Sequence, residues 1–421
     1  MSNLTHMTLN PATHPWMTTA AVQKIFSALP ENTARFVGGC VRNALLTVPV
    51  ADVDIATRLE PPDVMDALET AGIRFMETGV EYGTLTAVIQ GHPYEITSLR
   101  RDIETDGRST VVAFTADWRE DSYRRDFTMN ALYADREGRI YDPCGQGVED
   151  LKARRFRFVG DADSRVREDY LRILRYFRLM AWYSGKGKID ATALRACREN
   201  RAGLKVLSAE RVWAELKKLL SAPDPLRAVR IMDTNDILEI LLPEAGSIEG
   251  LAMMVGLEKR EGLSVDPLLR LMAMGVRDEL AIAGLVQRLK VSKVEKSRLM
   301  GWASDTTVLS PDMDEKARKT AVYRGTAPVI HDRALICAAG ADSAMISKRW
   351  MELAEFAKVW NVPRFPLKGR DLKGAGFPDG SGMGRTLRAL EALWVRSGFD
   401  ADKKKLLTAL QLMKGSDRQQ N

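Results

Sequence analysis

Asp52 and Asp54 stand two apart in Val50-Ala51-Asp52-Val53-Asp54-Ile55, and their types and spacing point to chemistry. The spacing predicts a strand on which both carboxylates share one face, while Val53 and Ile55 turn to the core. Two like charges side by side repel unless a cation lies between them. Hard oxygen ligands suit Mg²⁺, which takes one or two carboxylates plus substrate phosphates. Upstream, Phe36-Val37 reads as a first strand. Gly38 and Gly39 follow, then a short helix carrying Arg42, and a turn around Pro49 before the second strand. The glycines permit close backbone approach, and successive N–H groups there would cradle a phosphate. A phosphate-binding turn feeding a carboxylate pair suggests phosphoryl or nucleotidyl transfer. A surface Asp-x-Asp after a glycine turn has the same local look, so the weight rests on the whole string.

The elements that must position this pair can be read along the chain. Residues 1–17 read as a loose leader. Ala20, Val22, Ile25, Phe26 and Leu29 predict a helix capped by Thr18 or Thr19. Pro61-Pro62 opens another helix that runs to about Ala71. Residues 81–90 and 93–99 alternate, are rich in β-branched residues and flank Gly91-His92, which predicts a hairpin with Glu95 on its second strand. Residues 100–118 are charged and contain Asp106-Gly107-Arg108, so they read either as a mobile loop or as a long hairpin tip. From about Ser221 onward the pattern is helical with Pro and Gly breaks.

Two further stretches carry polar chemistry. In Arg124-Arg125-Asp126-Phe127-Thr128-Met129-Asn130-Ala131, the Arg125 guanidinium suits a triphosphate because it forks two donors onto phosphate oxygens. Asp126 and Asn130 offer acceptors and donors for a ribose hydroxyl. An Asp-capped helix start with exposed arginines is the plain structural reading. In residues 165–180, Leu171, Leu174 and Phe177 form one helical row, and Arg172, Arg175 and Arg178 form the row beside it. The apolar row buries and the basic row meets anions or solvent.

Taken together, these strings resemble the nucleotidyltransferases that include the tRNA CCA-adding enzymes and bacterial poly(A) polymerases. The resemblance rests on Gly-Gly-x-Val-Arg, Leu-Leu and Asp-x-Asp-x-x-Thr over residues 38–57, on Arg-Arg-Asp-Phe-Thr-x-Asn-Ala over 124–131, and on Glu168-Asp169-x-x-Arg172. Asn43 departs from the family's usual Asp, at a position that is not a metal ligand. Residues 142–151 resemble the family's Asp-Pro-x-x-Gly-x-x-Asp-Leu turn with one extra residue, where the resemblance implies a hinge. The likeness covers residues 30–220 strongly and 360–400 weakly.

The resemblance implies an α+β chain: a small mixed-sheet nucleotidyltransferase head over 1–145, a helical neck with nucleotide-base recognition over 146–222, and a helical body and tail binding tRNA over 223–421. It implies that an RNA 3′-hydroxyl attacks the α-phosphate of CTP or ATP and releases pyrophosphate. Asp52 and Asp54 would hold two Mg²⁺ ions, with Glu95 either a third carboxylate or a solvent-facing Glu. Gly38, Gly39, Arg42 and Arg125 would hold the triphosphate. Asp169 and Arg172 would select the base, with Arg175 and Arg178 nearby, because a carboxylate accepts from the exocyclic amine of C or A and an arginine donates to the neighbouring ring acceptor. Glu210 and Arg211, in the helix start at Ser208, would brace that helix. Residues 366–384 with their repeated glycines resemble a late family motif ahead of a tail helix over 385–396.

Composition bounds these expectations. The 421 residues, 45% hydrophobic and 28% charged, suit two to four domains of ordinary soluble composition. No apolar run approaches the ~18 residues of a membrane span, and residues 1–16 lack a signal-peptide core. Four scattered cysteines, Cys40, Cys144, Cys197 and Cys337, fit a reducing cytoplasm rather than a disulfide or zinc framework. A net charge of +6 allows a polyanionic partner, and basic clusters over 288–298 and at Lys403-Lys404-Lys405 either touch RNA or are solvated faces. No stable protein partner is implied. The four histidines argue against a metallophosphohydrolase domain, and no Gly-x-Gly-x-x-Gly or Walker pattern is present. A poly(A) polymerase or A-adding partner enzyme and a non-catalytic RNA-binding protein are the competing readings, whereas a CC-only enzyme would lack the loop that residues 100–118 suggest.

Overall fold

The computed structural model describes residues 7–105, 110–185, 187–377 and 381–417. The chain forms two compact units, Met1–Pro243 and Glu244–Asn421.

The first unit begins with a sheet. Strands β1 (Ala34–Val37), β2 (Asp54–Thr57), β3 (Arg74–Gly79), β4 (Thr84–Ile89), β5 (His92–Ser98), β8 (Tyr133–Ala134) and β9 (Ile140–Tyr141) make one seven-stranded sheet in the order β3-β4-β5-β2-β1-β8-β9. Only β2 and β5 run parallel; the other pairs are antiparallel, so the sheet is mixed as expected. One face packs on helices. Thr19 caps the helix Ala20–Ala28, whose buried Val22, Ile25 and Phe26 meet the sheet, with the rings of Phe26 and Phe36 4.7 Å apart. The helix Pro61–Thr70 adds buried Val64 and Leu68. On the opposite face Val37, Ala56, Leu99, Trp118 and Tyr133 form a second cluster. Asp54 shares that face with Ala56, since residues two apart point the same way.

Several expectations need correction. Residues 7–17 are not loose: Leu9 and Met17 are buried, Leu9 N–H donates to Gly138 O, and Trp16 packs edge-on against Phe36. Gly138 (φ +86) permits this, because a Cβ there would overlap the Leu9 carbonyl. Strand β2 starts at Asp54, so Asp52 lies in the preceding loop, and Val53 is only half-buried. Strand β3 has no counterpart in the sequence reading, because its residues are mostly exposed and show no alternation. Residues 100–118 contain a separate hairpin of β6 (Arg100–Thr105) and β7 (Thr110–Phe114). Asp106, Gly107 and Arg108 lie outside the described residues, as does Gly380.

The chain then turns helical. Asp142 accepts from the N–H groups of Gly145 and Val148 ahead of the helix Gly147–Lys152. Phe127 is buried and stacks on Phe158 at 4.8 Å, with Tyr176 beyond, so the Arg-Arg-Asp-Phe segment is pinned between sheet and helices. Residues 165–180 are not one helix. The helix Ala162–Glu168 stops, Asp169 is extended at φ −153, and a new helix runs Leu171–Tyr183. Its start is capped by Asp169, whose Oδ1 accepts from Leu171 N–H. The rows survive on the second helix: Leu171, Leu174 and Phe177 are buried, with Arg172, Arg175 and Arg178 beside them.

The second unit is helical throughout its described residues. The helices Ala327–Ala339 and Ala344–Val359 pack as a pair joined by a short turn. Arg270 forms a buried ion pair with Glu258 at 2.5 Å. A further core of Leu367, Leu372, Leu390, Trp394, Val395, Leu406 and Leu410 joins the helices Gly369–Gly374, Ser381–Arg396 and Lys403–Asp417. Within the basic clusters, Arg298 is taken up by Asp266 and Asp332, Arg288 by Glu244, and Lys403 by Asp371. These cations serve the fold at least in part.

Candidate active site

A cleft of about 1210 Å³ opens in the first unit. It collects Gly38, Gly39, Arg42, Asp54, Arg125, Asp126, Asn130, Asp169, Arg172, Arg175 and Arg178 from four separate stretches of sequence. Asp52 and Glu95 do not line it. Nine arginines face five carboxylates there, a surplus of positive charge suited to a triphosphate.

The carboxylate side is set by the sheet. Asp54 and Glu95 are register partners across the parallel pair β2/β5. Burial raises the Asp54 carboxyl to about 6; Glu95 and Asp52 add to the rise, while Arg125 and Arg42 oppose it. Among the described residues no lysine or arginine forms an ion pair with Asp52, Asp54 or Glu95. Nor does any group of three or more His, Cys, Asp or Glu side chains there form a ready metal cage. Mg²⁺ draws part of its coordination from substrate phosphates. An under-compensated pair of hard oxygen donors beside an arginine-rich cleft therefore fits that ion.

Gly38 sits at φ +73, a conformation L-residues rarely adopt, and a Cβ there would find ordinary space. Its glycine is required by backbone angle rather than by crowding. The expected phosphate cradle is reduced at this point, because Gly38 N–H already donates to Leu132 O. The free N–H groups begin at Gly39, the first residue of the helix Gly39–Leu45.

The polar residues form a linked chain. Arg42 Nη1 donates to Asn130 Oδ1 at 2.6 Å and Arg42 Nη2 to Tyr183 Oη at 3.0 Å. Asn130 Nδ2 donates to Asp126 Oδ1 at 3.1 Å, and Arg175 pairs with Asp126 at 2.7 Å. Burial would raise the Asp126 carboxyl, but Arg175, Asn130 and the Phe127 N–H outweigh it and hold it below its ordinary value. Arg125 reaches Asp121 at 2.8 Å and Tyr133 Oη at 3.1 Å, and Arg124 takes the other Asp121 oxygen at 2.7 Å. Arg124, Arg125 and Arg175 are thus each oriented by a carboxylate, and Arg42 by an amide oxygen and a phenol hydroxyl.

Asp169 and Arg172, the pair expected to read the base, are engaged in the same way. Asp169 Oδ2 accepts from Arg211 at 2.6 Å. Arg172 donates to Glu168 and to the Arg165 carbonyl. Arg178 pairs with Glu215 at 3.0 Å. Arg211 also lines the cleft. One sequence signal marked it: it falls in the first turn of the helix Ala209–Leu220, where the helix dipole disfavours a cation. Arg100, Arg124 and Tyr82 also line the cleft without having been singled out.

Residues 34–157 match the family described as Poly A polymerase head domain, and residues 188–248 the family described as Probable RNA and SrmB-binding site of polymerase A. Sheet, cleft and these matches define a nucleotidyltransferase with a polymerase-type head. The chain is 33% identical over 400 residues to CCA tRNA nucleotidyltransferase 1, mitochondrial, of Danio rerio, covering 89% of this chain and 86% of that protein. It is 41% identical over 201 residues to the CCA-adding enzyme of Streptococcus pyogenes, covering 47% and 48%. The crystal structure of the Bacillus stearothermophilus CCA-adding enzyme in complex with CTP aligns with a TM-score of 0.78 at 25% identity, covering 96% of this chain and 100% of that one. The Thermotoga maritima CCA-adding enzyme complexed with tRNA shares the fold, with a TM-score of 0.63 at 18% identity over 97% and 99%. The chain belongs to the CCA tRNA nucleotidyltransferase family.

Proposed function

We propose that this chain adds C, C and A to tRNA 3′ ends from CTP and ATP without a nucleic-acid template. The observation that carries the reading is the single cleft that joins Asp54, an arginine surplus and the Asp169/Arg172 pair. Arg42 and Arg125 bind and orient the triphosphate, with Gly39 offering a backbone N–H. Asp126 and Asn130 hold the ribose. Asp169 accepts from the exocyclic amine of cytosine or adenine, and Arg172 donates to the adjacent ring nitrogen. Uracil and guanine present a carbonyl oxygen where the amine would be, and Asp169 repels it. Arg175 and Arg178 support this end of the cleft.

The tRNA 3′-hydroxyl attacks the α-phosphorus, the bond to pyrophosphate breaks, and the hydroxyl proton leaves to solvent. Asp52 and Asp54 would hold Mg²⁺, which when bound would lower the cost of ionising the hydroxyl and of releasing pyrophosphate. Glu95, beside Asp54, adds negative charge that strengthens cation binding there. No helix among the described residues is long and apolar enough to cross a membrane. All four cysteines are free, which supports a reducing compartment; we assign the cytoplasm, although the Danio rerio relative is named mitochondrial.

The test is incorporation on a tRNA transcript lacking its 3′ end, with CTP alone, ATP alone and both. Two C residues followed by one A support the reading. A long A tract makes the chain a poly(A) polymerase. One A added only after CC makes it an A-adding enzyme, and no addition leaves an RNA-binding role.

A further inference from the structure

Asn43, the residue that departs from the family pattern, joins two parts of the site. It lies half-buried on the helix Gly39–Leu45. Its Oδ1 accepts from Arg42 Nε at 3.2 Å and from Arg42 Nη2 at 2.8 Å, and its Nδ2 donates to the Pro49 carbonyl at 3.0 Å. The partners settle the amide's orientation. A guanidinium only donates and a carbonyl only accepts, so the oxygen must face Arg42 and the nitrogen must face Pro49. The Asn43 carbonyl also accepts from Val48 N–H at 2.8 Å and from Leu46 N–H at 3.2 Å.

The loop held in this way needs its anchors. Thr47 sits at φ +57, a left-handed conformation that β-branched residues rarely adopt. Asp52 lies exposed in the same loop, before the strand register with β5 begins at Asp54. No ladder hydrogen bond fixes it, so the path of residues 46–53 decides where its carboxylate lies.

We propose that Asn43 is a positioning residue that keeps the Asp52-bearing loop in register with Arg42. The inference rests on the reading of Asp52 as a metal ligand and Arg42 as a nucleotide ligand. An aspartate at 43 would still accept from Arg42 but would turn an oxygen toward the Pro49 carbonyl. The loop would lose its side-chain anchor while the arginine kept its own.

The test uses full-length protein carrying Asn43→Asp, Asn43→Ala or Asp52→Ala. CTP addition is followed by steady-state kinetics. Bound Mn²⁺ is read by electron paramagnetic resonance with a non-hydrolysable CTP analogue present. Groups behind a metal ligand alter affinity or activity by roughly tenfold or more. Asn43→Asp is therefore expected to lower kcat and to weaken Mn²⁺ binding by about tenfold, with KM for CTP nearly unchanged. Asn43→Ala is expected to raise KM as well. Wild-type Mn²⁺ affinity and kcat in Asn43→Asp, while Asp52→Ala loses Mn²⁺, would overturn the role of Asn43. Wild-type Mn²⁺ affinity in Asp52→Ala would instead overturn the metal reading. If the aspartate variant melts early, Asn43→Ala, which also lacks the donor to Pro49, carries the Mn²⁺ comparison.

Discussion

Arg211 Nη2 donates to Asp169 Oδ2 at 2.6 Å, across 42 positions of sequence, and ties the start of one helix to the break between two others. The second carboxylate oxygen of Asp169 accepts from Leu171 N–H at 3.1 Å. Both oxygens are therefore oriented before any base arrives. Arg211→Ala should leave Asp169 free to turn, and misincorporation of U or G should rise by roughly tenfold, the scale of one weakened directional contact. Asp169→Ala and Arg172→Ala should relax base choice further. Competition between CTP and UTP on one tRNA primer measures this, with tRNA affinity as the control. Strict C and A selection in these variants would refute an amino-acid template.

Asp54→Asn should remove the activity while sparing the fold. The carboxylate sits half-buried beside Glu95 and Asp52 with no ion-pair partner among the described residues, so neutralising it relieves repulsion. Loss of a metal ligand costs several kcal/mol of transition-state stabilisation, which is about a hundredfold or more in rate. Thermal melting in chelator should show a midpoint equal to or above that of the native chain. Unchanged turnover would sink the metal assignment.

Asp121 predicts an acid limit to stability. Burial alone would raise its carboxyl, but Arg125, Arg124 and the Tyr133 hydroxyl outweigh burial and hold it well below the usual carboxylate range. A carboxyl depressed in the folded state contributes stability that is fully present above its unfolded value, about 3.9. That contribution is lost as pH falls toward the folded value. Asp121→Asn should cost about 3–5 kcal/mol near neutral pH, as expected for a broken buried pair. The difference from the native chain should shrink as urea unfolding is repeated from pH 7 down to about pH 3.

The pair Arg270–Glu258 makes a matching prediction for the second unit, since both side chains are almost wholly buried. Arg270→Met strands the Glu258 carboxylate and should cost about 3–5 kcal/mol. The double change with Glu258→Leu should recover most of that loss. KM for CTP should be unaffected by either, because all residues lining the nucleotide cleft lie in the first unit.

Much of this architecture was legible where local rules act alone. Pro61-Pro62 marked a helix start, Thr19 a cap, and Gly91 a hairpin turn, and each falls within a residue or two of its expected place. The cleft residues were legible as types, since arginines next to Asp-x-Asp suit few other chemistries. The break at Asp169 was not, because its extended backbone sits in a stretch whose helical spacing continues on both sides. The position of Asp52 outside the strand was hidden for a related reason. Alternation holds across residues 52–55, but pairing with β5 starts at Asp54. The use of the Gly38 N–H by Leu132 depends on a contact far along the chain, which spacing cannot show.

The arginines of the cleft have counterions within the protein, with Asp121, Asp126, Glu168, Asp169 and Glu215 each paired to one of them. When a nucleotide enters, its phosphates meet arginines already neutralised in part by protein carboxylates, so few ions from solution have gathered on them to be displaced. Few ions are released to the bulk, so nucleotide affinity should fall only gently as salt is added. A tRNA backbone sheds condensed ions wherever a cation touches it, and its affinity should fall steeply over the same range. Ionic strength would then separate the two substrates of one enzyme, loosening the RNA while the triphosphate stays seated.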